Sequence, residues 1–473
     1  MNKFYNILYK PIKSFIVLLF LLICFPVTAQ FFGPRQLIDT DKIFRDIELG
    51  DIDGDGHTDV LIGSVDLVAW YRNLDGDGSF SEAIPIELDQ SNAYSVKITD
   101  INQNGINDIV VSYFNLDYVA WYPNDGSGNF GEKVIIANGL DSCFNVLPVD
   151  LDQDGDIDVV IGIVNGTGFY WAENLDGQGL SWQLHTVDSS SSQARTQRVG
   201  DIDGDGDFDI VSNMVSTNWM AWYENLDGIG QQWEQHIIEL NGLYENSFEL
   251  VDMDGDGHLD IVSQKRQGST SNPDAIGWRK NDGSGSYSPF EVLYETDGFS
   301  RTVTDVKVED IDNDGYPDIV GLVSQVFLEN NLIIWIKNID NAGTFEEASI
   351  IDSHFEKPGN LNLADVDGDG DLDLFLTTSP GRELMWFENL TILNTDDFQD
   401  NGAVVYPNPA TAFIHIAYEG VIDRVQFYTV EGIPALEVTG NPKTIDVSTL
   451  TSGFYAVVIE TSEGRSVYKV VID

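Results

Sequence analysis

Carboxylates at alternate positions, closed by a glycine and one further carboxylate, recur seven times along the 473-residue chain. Each copy reads D-x-[DN]-x-[DN]-G-x-x-D and runs into an aliphatic residue. The first holds Asp51, Asp53, Asp55 and Asp59; the second, Asp100, Asn102, Asn104 and Asp108; the third, Asp150, Asp152, Asp154 and Asp158. The fourth holds Asp201, Asp203, Asp205 and Asp209, and the fifth Asp252, Asp254, Asp256 and Asp260. Asp310, Asp312, Asp314 and Asp318 form the sixth, and Asp365, Asp367, Asp369 and Asp373 the seventh. Oxygen donors at loop positions one, three, five and nine suit a hard cation, Ca²⁺ above all, so up to seven ions are expected. Gly56, Gly105, Gly155, Gly206, Gly257, Gly315 and Gly370 stand where the loop must turn through positive φ. Position seven carries His57, Ile106, Asp156, Asp207, His258, Tyr316 and Asp371. No side-chain chemistry unites that set, so a backbone carbonyl is expected to serve there. The second copy has amides in place of two carboxylates and should be the weakest site.

These loops are not EF-hands. Position twelve, acidic in an EF-hand, is Ile62, Val111, Ile161, Ser212, Ser263, Gly321 and Leu376. The run after each loop is β-branched (DVLIGS, DIVVSY, DVVIGI), which predicts a strand rather than a helix. A Trp-x-x-Asn pair comes next in every copy: Trp70/Asn73, Trp121/Asn124, Trp171/Asn174, Trp222/Asn225, Trp278/Asn281, Trp335/Asn338 and Trp386/Asn389. In six copies an Asp-Gly or Asp-Asn turn and another apolar run complete the unit. Successive loops start 49, 50, 51, 51, 58 and 55 residues apart, so one supersecondary unit of four short strands is repeated. The expected fold is all-β: a seven-bladed β-propeller followed by a small C-terminal β-sandwich. The seventh unit stops at Asn389-Leu390 without a fourth strand, whereas Phe32 to Asp39 has the spacing of Phe345 to Asp352. The N-terminal segment is therefore predicted to close the ring. One Trp per blade at a fixed position reads as packing between blades.

With these motifs the chain resembles the FG-GAP/VCBS calcium-loop propellers, which include the integrin α-chain propeller and some fungal lectins. The resemblance covers residues 31–390 and implies fold and metal, not ligand. Residues 1–29 place Lys3, Lys10 and Lys13 before IVLLFLLICF and Val27-Thr28-Ala29, the pattern of a secretory signal peptide cleaved after Ala29. Without it Cys143 is the only cysteine, so no intrachain disulfide is expected. The propeller is assigned 30–390 and a polar linker 391–403. Residues 404–473, with Tyr406-Pro407-Asn408-Pro409, Gly453-Phe454-Tyr455 and a terminal strand from Ser466 to Ile472, resemble the C-terminal sorting domain of the type IX secretion system. That resemblance implies engagement of the type IX machinery and a secreted or outer cell-surface protein. An Ig-like adhesion module is the alternative for this segment. No transmembrane segment is expected in the mature chain.

The net charge is −54, and −57 once the three lysines of residues 1–29 are removed, since that stretch has no acids. Such a field argues against nucleic acid as a partner. The rim opposite the metal loops is expected to gather Lys42, Arg45, Arg195, Lys265, Arg266, Arg301, Lys357 and Arg382, with Tyr94, Phe144 and Trp219 among its aromatics. Arg45, Arg195, Trp219, Lys265, Arg266, Arg301 and His354 are the candidate ligand-binding residues. Cations beside aromatics suit an anionic, uronate-rich glycan; the plainer alternative is that rim loops tolerate long polar side chains. No G-x-S-x-G, H-E-x-x-H or phosphate-binding glycine loop is present, and no catalytic residue is assigned. The expected role is recognition or adhesion toward a glycan or an extracellular protein; the alternative is a polysaccharide-degrading lyase or hydrolase.

Overall fold

The computed structural model describes residues 32–88, 92–214, 219–239, 247–266, 273–296, 301–325, 331–353, 355–378, 382–390, 403–418, 420–429, 434–451, 453–461 and 464–472. The expected signal peptide, His354 and all of the linker except Ala403 lie outside them. Among the described residues every element is a strand, and no helix is long and apolar enough to cross a membrane.

Residues 32–390 form seven four-stranded antiparallel sheets. In the first, Phe44–Gly50 is innermost, followed outward by Asp59–Ser64, Val68–Tyr71 and Ile84–Glu87. The second strand of each blade is buried along its whole length or all but its last residue, as the continuous β-branched runs require. The seventh sheet orders Gln36–Asp39 outside Leu384–Phe387, Asp373–Thr378 and Pro358–Ala364. Phe32 bridges Asn389 just as Phe345 bridges Asn338, so the N-terminal strand occupies the slot that sequence spacing assigned to it. The innermost strands pack each on the next, and Pro358–Ala364 returns against Phe44–Gly50.

Three repeated contacts join the blades. Each Trp from Trp70 to Trp278, and also Trp386, lies under the second turn glycine of the next blade. A Cβ on Gly230 would come within 2.7 Å of Trp171, and one on Gly179 within 2.8 Å of Trp121. Trp386 meets Gly78 in the same way, across the closure. The packing role expected for these tryptophans is the one seen. The strand asparagine donates to the preceding blade, Asn124 Nδ2 to Ile52 O at 2.7 Å and Asn73 Nδ2 to Val366 O at 2.8 Å. Finally, in four blades the residue after the Trp reaches an acid on the preceding blade's outer strand. Tyr71 donates to Asp39, Tyr122 to Glu87, Tyr223 to Asp188, and the buried Arg279 to Glu239.

Residues 403–472 build two sheets of three and four strands. Their core, including Ile414, Val425, Phe427, Val457, Ile459 and Val470, contains no propeller residue. Ala403, the last residue of the expected linker, is buried in it.

Candidate functional site

Every metal loop is wound around its first carboxylate. Asp51 accepts from the backbone N–H groups of Gly54 at 2.7 Å and Gly56 at 2.9 Å. The position-six glycine makes this bond in all seven loops, with φ from 82° to 100°. Position five accepts from the position-seven N–H, Asp55 from His57 at 3.0 Å. Position nine ties the loop to the blade: Asp59 accepts from Ile52 N at 3.0 Å and Asn73 N at 2.8 Å. The same pair of bonds recurs at Asp108, Asp158, Asp209, Asp260 and Asp373; Asp318 accepts from Asn338 N at 2.7 Å and Trp335 Nε1 at 3.0 Å.

The carboxylates of positions one, three and nine converge. Ligand atoms of Asp51, Asp53 and Asp59 lie within 4.8 Å of one another, as do those of Asp150/Asp152/Asp158, Asp201/Asp203/Asp209 and Asp252/Asp254/Asp260. In six of the seven loops one side-chain oxygen is buried and accepts no hydrogen bond: that of Asp53, Asn102, Asp150, Asp207, Asp254 or Asp312. A buried oxygen without a donor is costly, and a cation among the loop oxygens would remove that cost. The donor set is all oxygen, as Ca²⁺ requires. Burial, reinforced by neighbouring carboxylates, pushes the position-nine groups well up: Asp59 and Asp108 to about 6, Asp209, Asp260 and Asp318 to about 7, Asp158 to about 8 and Asp373 to about 9. The residues present fit calcium. Positions one, three, five and nine would hold it; its chemistry there is charge neutralisation.

Position four was missed in the sequence. Besides glycines it carries Gln103, Gln153 and Asn313, each at positive φ (56°, 58° and 55°). Their amides donate to the position-six carbonyl of the next blade's loop: Gln103 to Gly155, Gln153 to Gly206 at 3.0 Å and Asn313 to Gly370 at 3.1 Å. The signal was the Gly/Asn/Gln restriction at that position.

On the opposite rim, Arg45, Tyr94, Phe144 and Arg195 are the second residues of the innermost strands of blades one to four. They form one row around the mouth of the ring. The Arg45 guanidinium lies 5.3 Å from the Tyr94 ring centroid, Tyr94 4.3 Å from Phe144, and Arg195 5.2 Å from Phe144. Arg45 Nε donates to Asn92 Oδ1 at 2.8 Å, whereas Arg195 Nε is buried and donates to nothing. The other candidates are not in this row. Lys265 is 3.8 Å from Glu239 and sits over Phe290 beside Arg279, within the outer part of blades four and five. Trp219 is half-buried against the core shared by blades three and four. Arg266 is exposed, and Arg301 opens the innermost strand of blade six. Behind the row, an ionic ring that sequence spacing did not single out lines the innermost strands. Lys97 is 2.6 Å from Glu48, and Glu249 takes Arg198 at 2.7 Å and Lys307 at 3.0 Å. Burial would raise Glu249, but Arg198 and Lys307 outweigh it and hold it down at about 2. Cys143 is fully buried, and burial pushes its thiol up to about 12, leaving it inert.

Residues 51–111, 100–161, 150–212 and 201–263 match the FG-GAP-like repeat family, each match spanning one metal loop and the next. Residues 404–473 match the secretion system C-terminal sorting domain. No curated protein matches the chain. Among solved structures, an Agrocybe aegerita lectin specific for non-reducing terminal N-acetylglucosamine is 17% identical with a TM-score of 0.49, covering 74% of this chain and 87% of the lectin. PorZ, a surface component of the type IX secretion system of Porphyromonas gingivalis, is 11% identical with a TM-score of 0.48, covering 92% of this chain and 60% of PorZ.

Proposed function

We propose that this chain, which carries FG-GAP-like repeats and a type IX secretion C-terminal sorting domain, is a calcium-stabilised recognition module. The sorting domain sends it to the cell surface or the extracellular space. Its ligand is an acidic glycan, bound on the rim opposite the metal loops. The observation that carries this is the Arg45–Tyr94–Phe144–Arg195 row: two aromatic faces flanked by two guanidinium groups, one with a buried N–H that donates to nothing. Aromatic faces stack on sugar rings, and planar guanidinium forks pair with carboxylates in two parallel bonds. The body around the row is strongly acidic, so two guanidinium groups within four neighbouring strands at the ring mouth make a local exception that an anion can find. Calcium in the loops holds the blades that position the row; it does not touch the ligand, because loops and row lie at opposite ends of the innermost strands.

The test is retention of the full chain on a panel of uronate-bearing and neutral polysaccharides in millimolar calcium. Selective retention on the acidic members, weakened at least tenfold by the Arg45→Glu/Arg195→Glu pair, supports the reading. Retention unaffected by the pair, or a folded, metal-loaded chain that binds no polysaccharide, overturns it and points to a protein ligand.

A further inference from the structure

The seven loops are not equivalent, and two separate positions divide them in the same way. The residue before the strand asparagine is Arg72, Pro123, Glu173, Glu224, Lys280, Lys337 and Glu388 in blade order. Position seven of the loop is acidic as Asp156, Asp207 and Asp371, and only in the blades that carry Glu173, Glu224 and Glu388. Blades three, four and seven therefore bring six carboxylates to one loop. Blades one, five and six bring four carboxylates and one cation, a formal −3 against −6. Blade two brings two carboxylates, Asp100 and Asp108.

The cations stand where they can act. Arg72 lies 2.6 Å from Asp53 and 2.8 Å from Asp55, bridging positions three and five. Lys280 bridges Asp254 and Asp256 in the same way, the latter at 3.0 Å. Lys337 bridges Asp312 and Asp314, the latter at 2.9 Å. The glutamates are held differently. Glu173 accepts from His185 at 2.6 Å and Glu224 from His236 at 2.7 Å, and each imidazole stacks on its blade's tryptophan. A cation tethered between positions three and five must be displaced before a metal ion can use both oxygens. Loops three and four, each with six carboxylates and, among the described residues, no cation bridging positions three and five, need an external one to close.

We propose that loops three and four form a tight calcium class, and that Arg72, Lys280 and Lys337 are built-in counterions. These keep loops one, five and six folded without a divalent ion and weaken their hold on one. Loop two, with the least charge, binds most weakly. The proposal rests on the loops holding calcium, and the two ideas fail separately.

The experiment is a calorimetric titration of the chelator-stripped full chain with calcium, with bound ions counted by native mass spectrometry. A class of at least two ions, held at least tenfold more tightly than the rest, is expected, and it should lose one ion in Glu173→Gln. In the Arg72→Met/Lys280→Met/Lys337→Met variant the tight class should grow by up to three. Seven ions of one class, or a tight count unmoved by Glu173→Gln, overturns the partition while leaving calcium in place. No calcium bound to a folded chain overturns both. Should the triple variant fail to fold, the ion count of the unmodified chain and of Glu173→Gln decides the matter.

Discussion

Gly230 shows how little room single residues leave in this ring. Its φ is 68°, its N–H donates to Asn225, and its carbonyl accepts from both Trp171 and Trp233. A methyl group there would meet the indole of Trp171 in the preceding blade, so backbone conformation and inter-blade packing both demand glycine. The position-nine aspartates show the converse, an acid retained in a place that resists its charge. Burial lifts Asp158 to about 8 and Asp373 to about 9. A raised carboxyl pKa means that the folded, metal-free chain keeps protons the unfolded chain has already lost. Stability is then fully present below the ordinary carboxylate pKa and is lost as pH rises through the folded values, between about 4 and about 9 here. Calcium, on the proposal that the loops hold it, would bind the ionised form and cancel that loss. In thermal melts, the gap between calcium-loaded and chelator-treated protein should widen steadily from about pH 5 to about pH 8. A gap of constant size would show that these carboxyls do not govern metal dependence.

Strands and loops were legible in the sequence because each repeats seven times with its ligands in register. One copy of D-x-D-x-D-G is an ordinary polar turn; seven, each followed by a buried β-branched strand and Trp-x-x-Asn, leave a blade as the only economical solution. Contacts between non-equivalent positions stayed illegible. Lys265 falls on the rim by segmentation, yet Glu239 of the neighbouring blade and the Phe290 ring hold it in place. Tyr94 and Phe144 come together because four innermost strands start in the same register, which linear spacing does not reveal. The closing strand is the element on which the ring depends most. Gln36–Asp39 pairs with Leu384–Phe387, and Phe32 is only 1% exposed among Trp335, Phe355 and Phe387. A chain truncated to begin at residue 40 would leave that edge unpaired. It should lose at least the about 3–5 kcal/mol of deleting one buried phenylalanine, read as the shift in urea unfolding in calcium. An unchanged midpoint would mean that the seventh blade stands without its fourth strand.

In the whole molecule, charge and cores are divided unequally along the chain. All seven acidic loops lie between Asp51 and Asp373; on the proposal that they hold calcium, the ions would neutralise their charge, shared in three blades with a tethered cation. The C-terminal segment has a core of its own, built from residues 403–472, and carries none of those loops. A ligand that binds only the native form stabilises only the cooperative unit that holds it, by about 2.7 kcal/mol per site at a hundredfold excess over Kd. Each innermost strand packs on the next around a closed ring, so the blades are expected to unfold as one cooperative unit. Differential scanning calorimetry of the full chain should therefore resolve two transitions. Chelator should move the larger, which belongs to residues 32–390, down by many degrees. The smaller should stay where it is, and should reappear at the same temperature in residues 403–473 expressed alone. If both transitions moved together with calcium, the sorting domain would have to be docked on the ring as part of one cooperative unit.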